Sequence, residues 1–178
     1  MTRKLLNSEL NRLSEEEFKQ ADKIPLVVVL DNIRSQHNIG AVFRTSDAFL
    51  VEAICLCGIT AVPPNPEIHK SALGSERTVD WKYYSNTLDA VQELKEAGYF
   101  IVSIEQAESA TELTKFFTRT GRKYAIVFGN EVKGVAQEVV DASNQCIEIA
   151  QYGTKHSLNV SISAGIVIWE FYKQLKLN

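Results

Sequence analysis

From Ile24 onward the chain alternates short apolar runs rich in valine and isoleucine with longer stretches whose apolar positions recur at helical spacing. Residues 26–30, 53–57, 100–104, 124–128 and 146–149 read as strands. Several of these are apolar without interruption, as expected of strands covered on both faces. Between them the pattern predicts helices over 39–49, 88–97 and 137–142, and a last one from Val160 to about Leu175. Gly98 stands where a helix C-cap would fall. Strands that alternate with helices in this way imply an α/β fold: a mainly parallel sheet with helices on both faces. Residues 1–22 read differently. They are polar and helix-prone, with Leu5, Leu6, Leu10 and Leu13 at helical spacing, and Ser14 followed by Glu17 resembles a capping box that starts a second short helix. Residues 1–22 are therefore expected to form an N-terminal helical extension ahead of one domain at 23–178. Pro63-Pro64-Asn65-Pro66 reads as a rigid loop.

Composition narrows this picture. A chain of 178 residues, 45% of them hydrophobic, suffices for one domain with a real core. Its longest apolar run, Ile24 to Leu30, is interrupted by Pro25 and closed by Asp31, too short for a membrane span. The first residues, Met1-Thr2-Arg3-Lys4, lack the apolar stretch of a secretory signal, so a cytoplasmic protein is expected. Cys55 and Cys57 point to one face of a strand and could begin a zinc site. No second ligand pair lies nearby in sequence, and His37, His69 and His156 are scattered. Reduced core cysteines and no metal are the reading. The net charge of −3 and the pI of about 5.7 argue against a general nucleic-acid binder, unless positive charge gathers on one face. Arg34, Arg44, Lys70, Arg77 and Lys155 are the candidates for such a face.

In an open parallel sheet, ligands collect at the carboxyl ends of the strands, which directs inspection to the residues just after each one. Three junctions stand out. In Asn38-Ile39-Gly40-Ala41-Val42-Phe43-Arg44-Thr45, Asn38 is a plausible N-cap, Gly40 admits a close neighbour and Arg44 lies within the helix. In Phe128-Gly129-Asn130-Glu131-Val132-Lys133-Gly134-Val135 two glycines five apart resemble a phosphate loop, but no Lys-Ser or Lys-Thr follows. The chain also holds no Gly-x-Gly, which argues against a nicotinamide dehydrogenase. The second junction is thus a loop with backbone groups and one carboxylate, Glu131, or a plain strand exit. The third runs from Ile149-Ala150-Gln151-Tyr152-Gly153 to Ser157-Leu158-Asn159-Val160 at a helix start. It reads either as capping alone or as a site in which backbone binds a cofactor and Ser157 and Asn159 hold a substrate.

In order and spacing the three together resemble the signature motifs of the SpoU methyltransferases, the TrmH-type branch of the SPOUT superfamily. The segments that carry the resemblance are Asn-x-Gly-x-x-x-Arg, then Gly-x-Glu-x-x-Gly, then Ile149 followed nine residues on by Leu158 of Ser-Leu-Asn-Val; it covers about residues 24–175. The resemblance implies a C-terminal trefoil knot, a rare exception to the rule against knots. It further implies S-adenosylmethionine (SAM) as cofactor, a homodimer whose substrate site is completed across the interface, and methyl transfer to a ribose 2′-hydroxyl of structured RNA. Carried over by position, Gly129, Ile149 and Leu158 would contact SAM, while Arg44, Asn38, Glu131, Ser157 and Asn159 would form the catalytic cluster. Ala150 departs from the proline usual in the family, as does Gln151-Tyr152. The Lys70-Ser71-Ala72-Leu73-Gly74-Ser75-Glu76 stretch is similar to a segment of the transfer-RNA ribose methylases, which favours tRNA over ribosomal RNA. The N-terminal extension would then be an arm for RNA or for a second copy, or a helix packed on the domain edge. A module that kept the fold and RNA binding but lost catalysis, and a small-molecule methyltransferase, are the competing readings.

Overall fold

A computed structural model describes residues 2–177. Seven strands form one sheet: β1 Ile24–Asp31, β2 Val51–Cys57, β3 Asp80–Tyr84, β4 Tyr99–Ile104, β5 Thr111–Glu112, β6 Lys123–Phe128 and β7 Gln145–Glu148. Their order is β3-β2-β1-β6-β4-β7-β5 and every pairing is parallel. The uninterrupted apolar character of β1 follows from its place. Leu26, Val28 and Leu30 enter one core with the helices α2 Gln36–Ala48, α3 Pro66–Ala72 and α7 Val160–Tyr172, while Val27 and Val29 enter a second with α5 Thr87–Glu96 and α6 Gln137–Ala142. Period-two side chains on a strand packed from both sides leave no polar face to show. The expected α/β architecture is thus present, with the sheet entirely parallel.

Strand order reverses around β1. The chain moves outward through β2 and β3, then crosses to build β4, and β6 enters between β1 and β4. The carboxyl ends of β1, β6, β4 and β7 therefore surround the point where opposite-going connections leave the sheet, the place where open α/β folds bind ligands. Cys55 and Cys57 face α5 within the second core, where burial pushes the Cys55 thiol up to about 12 and keeps it neutral.

Several expectations are corrected. Residues 2–13 form no α-helix: a single 3-10 turn at Asn7–Glu9 is present, and Leu5, Leu6, Leu10 and Leu13 are exposed. Their helical spacing had no surface to pack on, and spacing alone does not hold a short helix together. The capping box at Ser14 and Glu17 does start a helix, α1 Glu15–Gln20, which buries Phe18 in the main core. Asn38 is not the N-cap of α2. Ser35 is, its hydroxyl accepting from the Asn38 amide, which leaves the Asn38 side chain free for other work. The proline-rich loop leads straight into α3, with Asn65 as cap and Pro66 in its first turn, and one further turn of helix, α4 Ser75–Thr78, follows before β3. Gly40 is where α3 crosses α2, and a β-carbon there would stand 2.3 Å from the Ile68 carbonyl oxygen. Among the described residues no helix is long and apolar enough to cross a membrane.

Ser46, on the buried face of α2, carries a hydroxyl with no hydrogen-bond partner among the described residues. Ser46→Ala removes an unsatisfied polar group and improves helix propensity, so it is expected to stabilise the fold by about 1 kcal/mol. Thermal unfolding should show a midpoint raised by roughly 2–4 °C, and a lowered midpoint would contradict the reading.

Candidate active site

The three junctions meet at the carboxyl end of the sheet. Asn159, the N-cap of α7, receives the amides of Ser161 and Ile162 on its oxygen and donates its own amide to Asn38 Oδ1 at 3.1 Å. Asn38 in turn donates to Glu131 Oε1 at 3.2 Å. The same carboxylate accepts the backbone amides of Arg34 and Ser35, at 3.0 Å each. Residues 93 and 121 positions apart in sequence are thereby joined in one chain of hydrogen bonds. Burial opposes ionisation of Glu131, but the Arg34, Ser35 and Asn38 donors outweigh it and hold its carboxyl below the ordinary value.

A depressed carboxylate contributes stability above its ordinary titration range, and that contribution disappears as pH falls through the lowered value. The stability advantage of the wild type over Glu131→Gln should be constant above about pH 4.3, the ordinary glutamate value, and shrink below it. Urea melts of both proteins between acid and neutral pH measure this. A gap that widens on acidification would overturn the assignment.

Beside this chain lies an open cleft of about 500 Å³. Gly129, Ile149 and Leu158, the residues expected at the cofactor, all line it, as do Glu131, Ser157 and Asn159. Its walls are the ends of β4, β6 and β7, with Ile104 and Phe128 as apolar floor and Glu105, Glu148 and Lys133 as charged rim. Arg44 stands apart. Six residues beyond Asn38 on α2, it lies about 9 Å further along the axis and on another face. There it borders a separate hollow with Glu15, Asp47 and Arg77. The expected basic face is also reduced, because Lys70 pairs with Glu67 and Arg77 with Glu15.

Three supporting residues escaped the sequence reading. Asn130 caps its own loop by accepting from the amides of Val132 and Lys133, and donates to the Asn32 carbonyl at the end of β1. Glu105 receives the Val135 amide and so fixes the far end of the same loop. Asp31, 1% exposed, accepts from Thr87, Asn32 and the Ala136 amide and ties β1 to both helices of the second layer. A Gly-Asn pair directly after a strand was a usable turn signal. The two acids gave none, because the partners through which they tie the site together, the Val135 and Ala136 amides, lie 30 and 105 residues away.

Residues 25–169 match the model of the SpoU rRNA Methylase family. The chain belongs to the SpoU methylase family. It is 36% identical over 149 residues to a 23S rRNA (guanosine-2′-O-)-methyltransferase of Nitrosomonas europaea, covering 84% of this chain and 56% of that protein. It is 31% identical over 173 residues to the tRNA (guanosine(18)-2′-O)-methyltransferase of Aquifex aeolicus, covering 96% of this chain and 78% of that enzyme. The SpoU fold seen here superposes on the AdoMet-bound rRNA methyltransferase of Sinorhizobium meliloti with a TM-score of 0.80 at 26% identity, over 89% of this chain and 60% of the other. The chain spans less than two thirds of the length of the ribosomal relatives it matches.

Proposed function

We propose that this chain transfers a methyl group from SAM to a ribose 2′-hydroxyl of a structured RNA, acting as a homodimer in the cytoplasm through its 23–178 domain. The observation that carries the reading is the Asn159-Asn38-Glu131 chain, which gathers all three SpoU motifs at the rim of one cleft. The donor set suits the cofactor. Ile104, Ile149 and Leu158 offer apolar walls to an adenine, Glu105 and Glu148 offer acceptors to hydroxyl and amino groups, and Gly129 leaves backbone where a side chain would intrude. Bound there, SAM supplies an electrophilic methyl group. The chain's part is alignment and charge. Glu131 and Asn159 hold Asn38 and the loop ends rigid, and Ser157 places a hydroxyl at the mouth where the ribose would enter. An arginine guanidinium stays protonated, so Arg44 acts as a phosphate clamp and a stabiliser of the developing alkoxide.

Arg44 reaches a cleft by way of the dimer. Helix α7 is apolar on every side, and its outer face shows Ile162, Ile166 and Trp169, 55%, 39% and 44% exposed. A helix of that kind is normally covered all round. Since α2 packs beside α7, a second copy seated on this face meets the Arg44 flank of α2 as well. Arg44 of the partner subunit then completes the site. The stretch from β6 through α7 is taken to carry the family's trefoil knot.

Transfer RNA is the favoured substrate. The match to the Aquifex tRNA enzyme spans nearly the whole chain, and the 70–76 segment points the same way. Ribosomal RNA is the second reading, favoured by the higher identity to the Nitrosomonas enzyme. Labelled SAM incubated with separated tRNA and rRNA should label ribose in tRNA, and Arg44→Ala should lower the rate by about 10²–10³. Label on bases, activity that survives complete RNase digestion of the substrate, or no SAM binding at millimolar cofactor in calorimetry would overturn the proposal, the last in favour of a non-catalytic RNA-binding module.

A further inference from the structure

The cleft occupies one end of β4, β6 and β7. The opposite end of the same three strands carries a second hollow, of about 430 Å³, lined by Phe100, Phe116 and Tyr124 and rimmed by Lys115, Arg119 and Arg122. The loop above it is held rather than loose. The Tyr124 hydroxyl accepts the Arg119 amide, and Gln174, beyond the end of α7, accepts the Thr118 amide and donates to the Phe116 carbonyl. This fixed loop displays Phe117 with 75% of its surface exposed. Between Glu112 and Glu131 the chain contains no carboxylate and four cations. Nearby acids are already engaged: Glu112 pairs with Lys115, and Glu170 with Lys173. Lys123 points to the other face, over Tyr99. Arg122 lies 4.6 Å from the Phe100 ring centroid, and Arg119 has no ion-pair partner among the described residues.

In a protein of net charge −3, a rigid loop that joins an exposed aromatic ring to unpaired guanidinium groups above an aromatic hollow matches one ligand chemistry. Cations hold a phosphate backbone, and a ring or guanidinium plane stacks an unpaired base. We propose that the 115–122 loop and the hollow beneath it form a second RNA-contact surface, which takes a looped or single-stranded stretch of the same RNA whose ribose enters the cleft. A strand such as β6 spans roughly 20 Å, so one folded RNA easily bridges the two ends of the sheet. The placement supplies the positive charge that Lys70 and Arg77, neutralised by their neighbours, do not. It rests on the reading of the chain as acting on RNA, though it assigns no part in methyl transfer to these residues.

The test compares the full-length wild type with Phe117→Ala and with Arg119→Gln/Arg122→Gln, using fluorescent tRNA and rRNA fragments for binding, labelled SAM for turnover and calorimetry for the cofactor. Thermal melts confirm that each variant is folded. The expected result is RNA Kd and RNA KM raised about tenfold or more, with kcat at saturating RNA and SAM Kd unchanged. For the double variant, the slope of log K against log salt should shrink by about 1.4, at 0.7 per phosphate contact on a single strand. Unchanged RNA Kd and KM in both folded variants would overturn the proposal, as would a wild type that binds no RNA. Variants that keep RNA binding but lose binding to phosphatidylserine vesicles would assign the patch to a membrane surface and overturn it as well. A wild type that binds RNA through this loop but labels no ribose would sink the catalytic reading and leave this one standing.

Discussion

Gly129→Ala is expected to lower SAM affinity by more than tenfold and to destabilise the fold, whereas Gly153→Ala, on the loop across the cleft, should do neither. The difference is one of space. A β-carbon on Gly129 would stand 2.0 Å from both the Gly134 carbonyl carbon and the Val135 nitrogen. Those are backbone atoms, which cannot rotate aside. They belong to the short loop closed by reciprocal hydrogen bonds between Asn130 and Gly134, at 3.0 and 2.8 Å. Relief of the overlap requires the 130–134 loop to move, and with it Glu131, whose grip on Arg34, Ser35 and Asn38 depends on its position. Overpacking of this kind costs about 1–3 kcal/mol before the lost hydrogen bonds are counted. At Gly153 nothing among the described residues lies within 4 Å of the added methyl group, so the effect should stay within about 0.5 kcal/mol. Calorimetric titration with SAM alongside thermal melts checks both. Equal cofactor affinity in the two variants would show that the Gly129 contact does not shape the cofactor site.

The same contrast between local signal and distant partner explains what the sequence disclosed. Strands β1, β4 and β6 were legible because burial on both faces makes them continuously apolar. Strand β3, Asp-Trp-Lys-Tyr-Tyr at the sheet edge, was not: four of its five residues are exposed, and it carries the charged pattern that guards an edge. Two-residue β5 has no period to read. Helix α3 was hidden in plain view, since Asn65 and Pro66 are good cap and first-turn residues but sit among prolines that read as a loop. At α2, Ser35 and Asn38 are both capping types three apart, and only the hydrogen bond to the Asn38 amide chooses between them. For the site, the motif spacing placed six of eight candidates on the cleft and Asn38 in contact with its rim. Helix geometry alone would have warned that Arg44, six residues on from Asn38, stands about 120° around the axis from it.

Arg44→Ala and Asn159→Ala should each be nearly inactive alone, yet a mixture with exchanged subunits should recover activity. If the site combines the cleft of one subunit with Arg44 of the partner subunit, the mixed dimer holds one intact pair and one doubly damaged pair. Random exchange in an equal mixture makes half the dimers mixed, so about a quarter of wild-type activity should return. If Arg44 instead served the cleft of its own chain, each site of the mixed dimer would lack one group and nothing would return. Asn159 suits the other half of the cross because it is the N-cap of α7 as well as the donor to Asn38. Its loss unties the α7 start from the Asn38-Glu131 pair at a cap cost of about 1 kcal/mol, too little to unfold the domain. Co-expression with two different affinity tags isolates the mixed dimer, and ribose labelling of tRNA by that species reads the outcome. No activity from a folded, SAM-binding mixed dimer would remove Arg44 from the partner's site.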